Sequence, residues 1–464
     1  MRPSEATDQR TATQPYGACP GAPPDSPVRP HPDDVPAGAT GAEGRCGEEA
    51  GRPESAAVAA VDGDVRGAVG RVLDQVLADR VAGARAVHPL FAEDLAARVA
   101  DFTRSGGKRT RSRLLWWAMR ACGAEDEASA AAALRMGAAV EILQTCALVQ
   151  DDVMDGSPCR RGRPALHRDV GAQYADAGDA GQVRRFGDAA AVLAGDLALA
   201  WADDVVADTA LAPDTARRVR RLWGDLRTEM VAGQYLDVHG QLTGARGVPR
   251  ALRAACLKSA LYSVERPLAL GAALAGADED TASGLCSAGR RVGIAFQLRD
   301  DLDDVFADAG RSGRPAGGDV REGKATYLAA VARARAEAAG DRAALSVLDR
   351  SLGDDALTAA GLDEVREVMV RTGARHAVEA RIGRLVTQGL RLYDSLALHP
   401  VGGGRLRELL ARAAGTGVRT ETSAGPLSAS AGAAGPVGTA GTVGGSAGPV
   451  GSAGSAGSVE GSRA

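Results

Sequence analysis

The sequence is distinguished first by the residue types that it lacks or uses rarely. Asparagine is absent, aromatic residues make up 3% of the chain, and only three of the 55 basic residues are lysines. No run of eighteen apolar residues is present, which argues against a membrane span. Aromatic and β-branched runs are few, and strands favour those residues. These absences favour a helical protein without a transmembrane segment.

Cysteine usage and charge exclude further classes of protein. The seven cysteines are scattered, with no CxxC pair and no Cys/His spacing suited to zinc. A reducing cytoplasm is the simplest setting for such a chain. The first residues, MRPSEATDQR, have no apolar segment typical of a signal peptide. The formal net charge of −4 indicates neither nucleic acid nor an anionic membrane as the main partner, so any phosphate chemistry must be local.

Composition divides the chain into three parts. Residues 1–62 are rich in Pro, Gly, Ala and charge, and residues 415–464 form a Gly/Ala/Ser-rich tract, so both are predicted to be disordered. Residues 63–414 are dominated by Ala, Leu, Val and Arg, with an apolar spacing that suits long helices. Neither strand–helix alternation nor an internal repeat is visible. The sequence predicts a single large all-α domain, a bundle of long packed helices between two disordered tails.

Two acidic clusters follow apolar helical stretches. Residues 151–155 read DDVMD and residues 300–304 read DDLDD, so the DDxxD spacing occurs twice. On a helix the first and last aspartates of each cluster share a face. Charges about 6 Å apart repel by about 3 kcal/mol at an effective dielectric of about 20, so water or a cation must offset the repulsion. One cluster alone favours a solvated helix end, whereas two favour Mg²⁺, which binds carboxylates together with substrate phosphates.

Basic residues complement the two acidic clusters. The GGKRTRSR segment presents Lys108 and Arg111, RRG at 160–162 follows the first cluster, and Lys258 and Lys324 stand in LKSALY and EGKATY. Each alone is more often a solvated surface charge. Together with metal-binding carboxylates, they indicate a pocket for two polyphosphate groups, one held through metal ions and one through side chains.

In combination these motifs resemble those of the trans-isoprenyl diphosphate synthase (polyprenyl synthetase) family, and bacterial geranylgeranyl diphosphate synthases above all. GGKR, DDVMD with RRGRPALH, AGD, GQYLD, KS, GIAFQLRDDLDD and D(x)₃GK(x)T occur in family order between about residues 70 and 400. The resemblance implies an all-helical bundle of the isoprenoid synthase type, usually a homodimer. It also implies an activity, the head-to-tail condensation of an allylic diphosphate with isopentenyl diphosphate.

The resemblance further implies roles for individual residues. The Mg²⁺ ligands, for three ions per site, are the aspartates of both clusters: Asp151, Asp155 and Asp300 as main ligands, and Asp152, Asp301 and Asp304 directly or through water. The cations implied for the allylic diphosphate are Arg160, Lys258 and Lys324. The residues implied for isopentenyl diphosphate, bound without metal, are Lys108, Arg111, Arg161 and Gln144. The positions whose oxygens face the developing allylic cation are Ser259 and Gln297.

The chain departs from the family pattern at three positions. Ser112 replaces the usual proline after GGKRxR, Ser259 replaces a threonine, and Gln150 replaces the common histidine before the first cluster. None of these departures removes an implied ligand.

Product length in the family depends on residues just upstream of the first DDxxD. Here Ala147 and Cys146 are small, which predicts a deep cavity, and Leu143 is one turn further along the helix. Trp116 and Trp117 are either plugs of this cavity or ordinary core residues. The resulting expectation is geranylgeranyl diphosphate (C20), with a longer polyprenyl or a farnesyl product as alternatives.

Two other functions share part of this pattern. A class I terpene cyclase also carries a DDxxD helix, but its second metal motif follows (N/D)DxxSxxxE, and it needs no second diphosphate site such as Lys108 and Arg111. A non-catalytic subunit of a heteromeric synthase typically lacks one acidic cluster, whereas both are complete here. The condensing enzyme is therefore the preferred hypothesis.

Overall fold

The computed structural model describes residues 56–244, 247–307 and 316–415, and most of both predicted tails lies outside them. Helices make up nearly all of this region, which confirms the all-α prediction. They are α1 Ala56–Gly63, α2 Val65–Val87, α3 Pro89–Phe91, α4 Ala97–Arg104, α5 Thr110–Ala121, α6 Glu127–Met154, α7 Leu166–Gln173, α8 Ala180–Ala207, α9 Pro213–Thr243, α10 Val248–Ala255, α11 Arg266–Leu274, α12 Glu279–Phe306, α13 Gly318–Arg321, α14 Tyr327–Ala339, α15 Arg342–Ser351, α16 Ala359–Arg371, α17 Ala374–Asp394 and α18 Pro400–Ala413.

Three short segments depart from regular α-helix. Residues Ala92–Ala96 and Cys256–Glu265 are π-helical, and Ala175–Ala177 is a 3₁₀ turn. The second of these, hereafter the π segment, joins α10 to α11 and contains the KS motif. Because π-helical turns are frequent at functional sites, its position already indicates where the active residues lie.

Aspartate and threonine start many of the helices in a chain without asparagine. Their side chains accept a hydrogen bond from a backbone N–H in the first turn, which satisfies a donor that has no partner inside the helix. Asp179 forms a complete capping box with Gln182 at the start of α8. The other caps of this kind are Asp64, Asp126, Asp278, Thr326, Asp341 and Thr358.

The first described helix begins before the predicted domain boundary at residue 63. In α1, Val58 is buried, and Asp62 accepts hydrogen bonds from Trp116 Nε1 at 2.7 Å and Arg120 Nε at 3.1 Å. Residues 56–62 therefore form part of the helical structure rather than of a tail, because Val58 is buried and Asp62 has two partners on α5. Trp116 and Trp117 are buried core residues and do not line the main cavity, so the core interpretation of these two is the one that the structure supports.

The RRG motif forms a tight hairpin. Two short antiparallel strands, Cys159–Arg160 and Arg163–Pro164, pair Arg160 with Arg163. The two residues between them, Arg161 and Gly162, have φ angles of 55° and 75°. Positive φ at both central positions is typical of a type I′ turn, which favours glycine at the second. The turn holds Arg160 and Arg161 in fixed orientations just after the first acidic cluster.

Helix α6 lies in the core and ends in the first acidic cluster. Among the described residues it is the one helix long and apolar enough to cross a membrane, and 72% of the apolar window is buried inside the protein. Such burial is typical of a core helix, since a buried helix must be apolar on most sides.

Glycines bring the π segment close to its neighbours. A Cβ atom added at Gly233 of α9 would lie 2.5 Å from the backbone nitrogen of Lys258, and one added at Gly293 of α12 would lie 2.8 Å from Ala260 Cα. Neither contact could exist with a larger residue. These glycines therefore allow α9 and α12 to pack directly against the backbone that carries Lys258 and Ser259.

Candidate active site

A cavity of about 600 Å³ lies among α6, α9, α10, the π segment, α12 and the residues around α13. Many of the residues singled out from the sequence line it: Arg111, Gln144, Ala147, Asp151, Arg160, Lys258, Ser259, Gln297, Asp300, Asp301 and Lys324. The two acidic clusters, about 150 residues apart in the chain, thus reach the same cavity. A shared pocket was expected from the sequence, and it is helix packing that brings the two clusters to it.

Asp151 is held by three neighbours at the cavity wall. Lys258 Nζ lies 3.0 Å from its Oδ1, Gln234 Nε2 donates to the same oxygen at 2.8 Å, and Arg160 Nη2 lies 3.3 Å from Oδ2. Lys258 also pairs with Asp237 Oδ2 at 2.7 Å. Burial opposes the ionisation of Asp151, but Lys258 and Lys324 outweigh burial and hold its pKa below the usual value.

Asp152 lies behind Asp151 and is fully buried. Arg160 Nε donates to its Oδ1 at 2.7 Å, and Arg160 Nη2 also pairs with it. Its other oxygen has no hydrogen-bond partner. Burial raises the pKa of Asp152 in spite of Arg160, so the arginine compensates only part of the cost of placing a charge there.

Asp155 faces the third lysine of the chain. Lys324 Nζ lies 2.9 Å from Asp155 Oδ2, 3.5 Å from Asp319 Oδ1 and 2.5 Å from Glu322 Oε2. Oδ1 of Asp155 is buried without a hydrogen-bond partner. Burial raises the pKa of Asp155, although Lys324 opposes the shift. Lys324 keeps a raised pKa because its acidic neighbours outweigh burial, so it stays charged.

The second acidic cluster ends α12 and differs in exposure along its length. Asp300 is exposed on the cavity wall, whereas Asp301 is buried and accepts a hydrogen bond from Gln297 Nε2 at 2.8 Å. Asp304 accepts from the backbone N–H of Asp319 at 3.1 Å. Burial, followed by the charge of Asp319, raises the pKa of Asp301 to about 8 and that of Asp304 to about 7. A cation near Asp301 and Asp304 would favour their charged forms and so lower both pKa values.

Two of the residues assigned to the second diphosphate, Arg111 and Arg161, bond groups outside the first acidic cluster. Arg111 Nη2 donates to Ser263 Oγ at 2.7 Å, and its guanidinium lies 4.5 Å from the ring centroid of Tyr262. Arg161 Nη1 donates to the carbonyl of Phe102 at 3.3 Å, at the end of α4 that leads into GGKR. Lys108 is exposed in that loop, and neither Lys108 nor Arg161 lines the cavity itself. These cations are therefore separate from the lysines that pair with the aspartates.

The three residues linked to product length differ in position. Ala147 lines the cavity, whereas Leu143 and Cys146 are buried in the hydrophobic core. Gln150 also lines the cavity, and its Nε2 donates to Asp196 Oδ1 on α8 at 3.1 Å. Of the three, Ala147 is thus the residue placed to meet a bound molecule.

Four polar residues in contact with the predicted site were missed from the sequence. Gln234 and Asp237 of GQYLD hold Asp151 and Lys258, and Asp319 and Glu322 surround Lys324. A signal existed, because Gln234 and Asp237 are three apart on one helix face and Asp319 begins the motif that contains Lys324. No sequence pattern indicated that Lys258 and Lys324 would each bridge acids from different elements.

The arrangement can bind a polyphosphate beside apolar surface. Lysine, arginine and aspartate side chains line the cavity together with the apolar side chains of Ala147, Leu148, Met230 and Phe296. Within residues 56–244, 247–307 and 316–415, no three His, Cys, Asp or Glu side chains stand together as a complete metal site. A divalent cation here would be completed by oxygens from a substrate, as is common for Mg²⁺.

The family profile of polyprenyl synthetase matches residues 93–361, which is more than half of the chain. The chain belongs to the polyprenyl synthetase family. This synthase is therefore an enzyme of the prenyltransferase class, as its motifs predicted. The matched residues include both acidic clusters, both RRG arginines and all three lysines.

Relatives of the synthase carry names that differ in product. It is 33% identical to a geranylgeranyl pyrophosphate synthase from Corynebacterium glutamicum, whose structure was solved with isoprenyl diphosphate and magnesium. The match covers 75% of this chain and 98% of that one, and the TM-score is 0.70. It is 28% identical over 310 residues to a geranylfarnesyl diphosphate synthase from Aeropyrum pernix, 66% of this chain and 88% of the relative. It is 29% identical over 307 residues to a (2E,6E)-farnesyl diphosphate synthase from Mycobacterium tuberculosis, 65% and 78% respectively. Similarity alone therefore does not set the product length.

Proposed function

We propose that this synthase condenses isopentenyl diphosphate head-to-tail with an allylic diphosphate to make geranylgeranyl diphosphate. The observation that supports this reaction best is the presence of two separate cationic groups. Lys258 and Lys324 pair with Asp151 and Asp155 of the first acidic cluster. Arg111 and Arg161 instead bond Ser263 of the π segment and the carbonyl of Phe102 on α4. Two such groups suit two diphosphate substrates, of which only one is bound next to the carboxylates.

The buried carboxylates fit Mg²⁺. Asp152 and Asp155 each have a buried oxygen without a hydrogen-bond partner, and burial keeps the pKa of Asp301 and Asp304 high. Hard oxygen donors of this kind suit Mg²⁺. We assign Asp151, Asp155 and Asp300 as main ligands, with the other three aspartates acting directly or through water, for three ions per site. When bound, Mg²⁺ supplies Lewis-acid stabilisation of the diphosphate leaving group.

The protein's own residues then act on the two substrates. Lys258, Lys324 and Arg160 hold the allylic diphosphate and stabilise the charge that develops as its C–O bond breaks. Ser259 lines the cavity, and Gln297 donates its amide N–H to Asp301, which leaves its carbonyl oxygen available to the developing cation. Lys108, Arg111, Arg161 and Gln144 hold isopentenyl diphosphate. The apolar cavity lining excludes water from the cation.

The product assignment rests on the small side chain at residue 147. Replacing Ala147 with phenylalanine should shift the main product toward farnesyl diphosphate, because a ring projecting from this position fills the cavity beneath the first acidic cluster. The measurement is a mass spectrum of products formed from isopentenyl diphosphate with C5, C10 and C15 primers. The wild type should give C20 with each primer.

The core residue Cys146 offers a control for the product experiment. Its side chain is buried outside the cavity lining. Replacing Cys146 with phenylalanine should lower the melting temperature, because overpacking a core typically costs about 1–3 kcal/mol. An unchanged product from a folded Ala147→Phe enzyme would rule out this wall as the length determinant, and a wild-type product longer or shorter than C20 would replace the assignment.

We also propose a homodimer that covers the outer face of α8. Val192 and Leu193 are 43% and 58% exposed on this helix. Light scattering should give the wild type about twice the chain mass of 47.2 kDa, and Leu193→Asp should shift it to a monomer because a charge would be buried in the interface. Leu242→Asp, at an 87% exposed position of α9, is the control and should remain dimeric. A monomeric wild type would contradict the proposal.

The purified chain separates the condensing enzyme from its rivals. Turnover by this chain alone would exclude a silent subunit, and incorporation of labelled isopentenyl diphosphate would exclude a terpene cyclase. We place the reaction in the cytoplasm, a prediction that rests on the scattered cysteines; the five that the structure describes are free thiols.

A further inference from the structure

The loop that contains GGKR is short and joins two helices. It runs from the end of α4 at Arg104 to the start of α5 at Thr110. Lys108 is exposed at its tip, and Arg111 follows in the first turn of α5, where it lines the cavity. The separation of these two cations therefore depends on how the loop backbone is held.

Arg109 holds the loop from inside. It is 7% exposed, and its backbone has a φ of 51°, in the left-handed region that non-glycine residues seldom occupy. Its Nη2 donates to the carbonyl of Thr103 at 3.0 Å and to that of Arg104 at 3.2 Å. Arg109 thus satisfies carbonyls at the end of α4 while its own backbone starts α5.

Glu141 is the acid that pairs with Arg109. It lies on α6, 7% exposed, with Oε2 at 3.1 Å from Arg109 Nη1. Its other oxygen accepts a hydrogen bond from Ser112 Oγ at 2.6 Å, and that hydroxyl also lies 3.1 Å from the carbonyl of Gly137. Both carboxylate oxygens therefore contact residues of the GGKRTRS segment, and the serine that replaces the usual proline is one of the two partners.

The same helix joins Glu141 to the substrate-binding residues. Gln144 lies three positions further along α6, near Glu141 on the helix surface, and lines the cavity. The charge of Glu141 also acts on Arg161, whose pKa is lowered chiefly by burial, with Glu141 opposing the shift. Glu141 thus pairs with Arg109 and acts on the charge of Arg161, without lining the cavity itself.

We propose that Glu141 is a positioning residue for isopentenyl diphosphate. Through Arg109 and Ser112 it fixes the GGKR loop against α6, so that Lys108 and Arg111 are held at the spacing of one diphosphate. It does not touch the substrate. This inference rests on the proposed function, because it presumes that these two cations bind isopentenyl diphosphate.

The test compares Michaelis constants for the two substrates. Glu141→Gln keeps the shape of the side chain but removes its charge. It should raise KM for isopentenyl diphosphate about tenfold, because a small displacement of binding groups is enough for such a loss. KM for the allylic substrate and kcat at saturation should change by less than about twofold, since Lys258, Lys324 and the aspartates are held by other contacts.

Variants of the partners of Glu141 test the same contact and distinguish its loss from a folding defect. Arg109→Gln removes the other partner and should raise the same KM by a similar factor. The double variant, with both Glu141→Gln and Arg109→Gln, should raise KM for isopentenyl diphosphate no more than the more severe single variant does, because the two residues act as one unit. Ser112→Ala, which leaves the ion pair intact, should raise this KM about twofold to threefold and stay folded even if the charge variants do not.

Thr145→Val is the matched structural control. Thr145 lies one turn beyond Glu141 and forms another buried contact to α4, with its Oγ1 at 2.7 Å from Thr103 Oγ1. This variant should lower the melting temperature without changing the ratio of the two Michaelis constants. If Glu141 has a purely structural role, Glu141→Gln should likewise lower the melting temperature and leave the ratio of the two Michaelis constants unchanged, and this result would overturn the inference. If the charge variants do not fold, an unchanged KM for isopentenyl diphosphate in Ser112→Ala would overturn it. Failure of the wild type to condense the substrates would refute the proposed function instead.

Discussion

Replacing Asp300 with alanine should reduce kcat for condensation about 10³-fold, which corresponds to about 4 kcal/mol of transition-state stabilisation. Asp300 is exposed on the cavity wall at the end of α12, where a main Mg²⁺ ligand is expected. The lysines should keep their places, because Lys258 pairs with Asp151 and Asp237, and Lys324 with acids around α13. The loss should therefore come from the metal site and not from a rearranged cavity.

Asp303 provides the control within the same cluster. It belongs to the same DDLDD sequence but is exposed and does not line the cavity. Asp303→Ala should retain wild-type activity within about twofold, as surface substitutions usually do. A readout apart from activity is the rise in melting temperature produced by Mg²⁺ with inorganic pyrophosphate, which should be smaller for Asp300→Ala than for Asp303→Ala. Equal activity of the two variants would refute the metal assignment at the second cluster.

Asp151→Ala tests the first acidic cluster and should reduce kcat for condensation by a factor similar to that of Asp300→Ala. This variant also removes a partner of Lys258 and Gln234, so its melting temperature must be measured beside its kinetics. Replacing one member of a buried ionic group typically destabilises a protein by about 3–5 kcal/mol. A folded Asp151→Ala enzyme with normal turnover would contradict the role given to DDVMD.

Replacing Lys258 with methionine should reduce kcat/KM for the allylic substrate about 100-fold, the usual effect of removing one charged donor from a leaving group. Lys258 Nζ stands between Asp151 and Asp237 at the cavity wall, within reach of a diphosphate held by the first cluster. Its pKa is raised because these two acids outweigh burial, so the ammonium is present throughout the neutral pH range. KM for isopentenyl diphosphate should be nearly unchanged.

Two variants define the role of Lys258 more closely. Lys258→Arg keeps the charge but carries a planar, wider group, and should recover part of the activity. Arg253→Ala removes an exposed cation from α10, just before the π segment, and should behave as the wild type. If Lys258→Met affected both substrates equally, the assignment of this lysine to the allylic diphosphate would be wrong.

Much of the candidate site was predictable from linear patterns. The DDxxD spacing places Asp151 and Asp155 on one helix face, and the same holds for Asp300 and Asp304. A chain that uses arginine almost everywhere places its three lysines in GGKR, KS and GK motifs. These signals are local, and local geometry within one helix does not depend on the rest of the fold. The all-α class followed for the same reason.

Contacts between helices were not predictable in this way. The sequence did not indicate that Asp237 pairs with Lys258 and Glu322 with Lys324, or that Asp62 of α1 bonds Trp116 and Arg120. Nor did the sequence separate Ala147, which lines the cavity, from its neighbour Cys146, which lies in the core. Adjacent residues on a helix point about 100° apart, and only packing decides which direction is open.

By itself, then, the sequence indicated a helical frame and the chemistry proposed for this synthase, with carboxylates for Mg²⁺ and cations for two diphosphates. Tertiary structure alone decided which charges meet. Glu141 illustrates the difference, because a glutamate in an apolar helix could face solvent or the core. Its burial against Arg109 and Ser112 arises where α4, α5 and α6 pack together. A buried charge must find a partner of opposite sign, and that partner is supplied by elements distant in sequence.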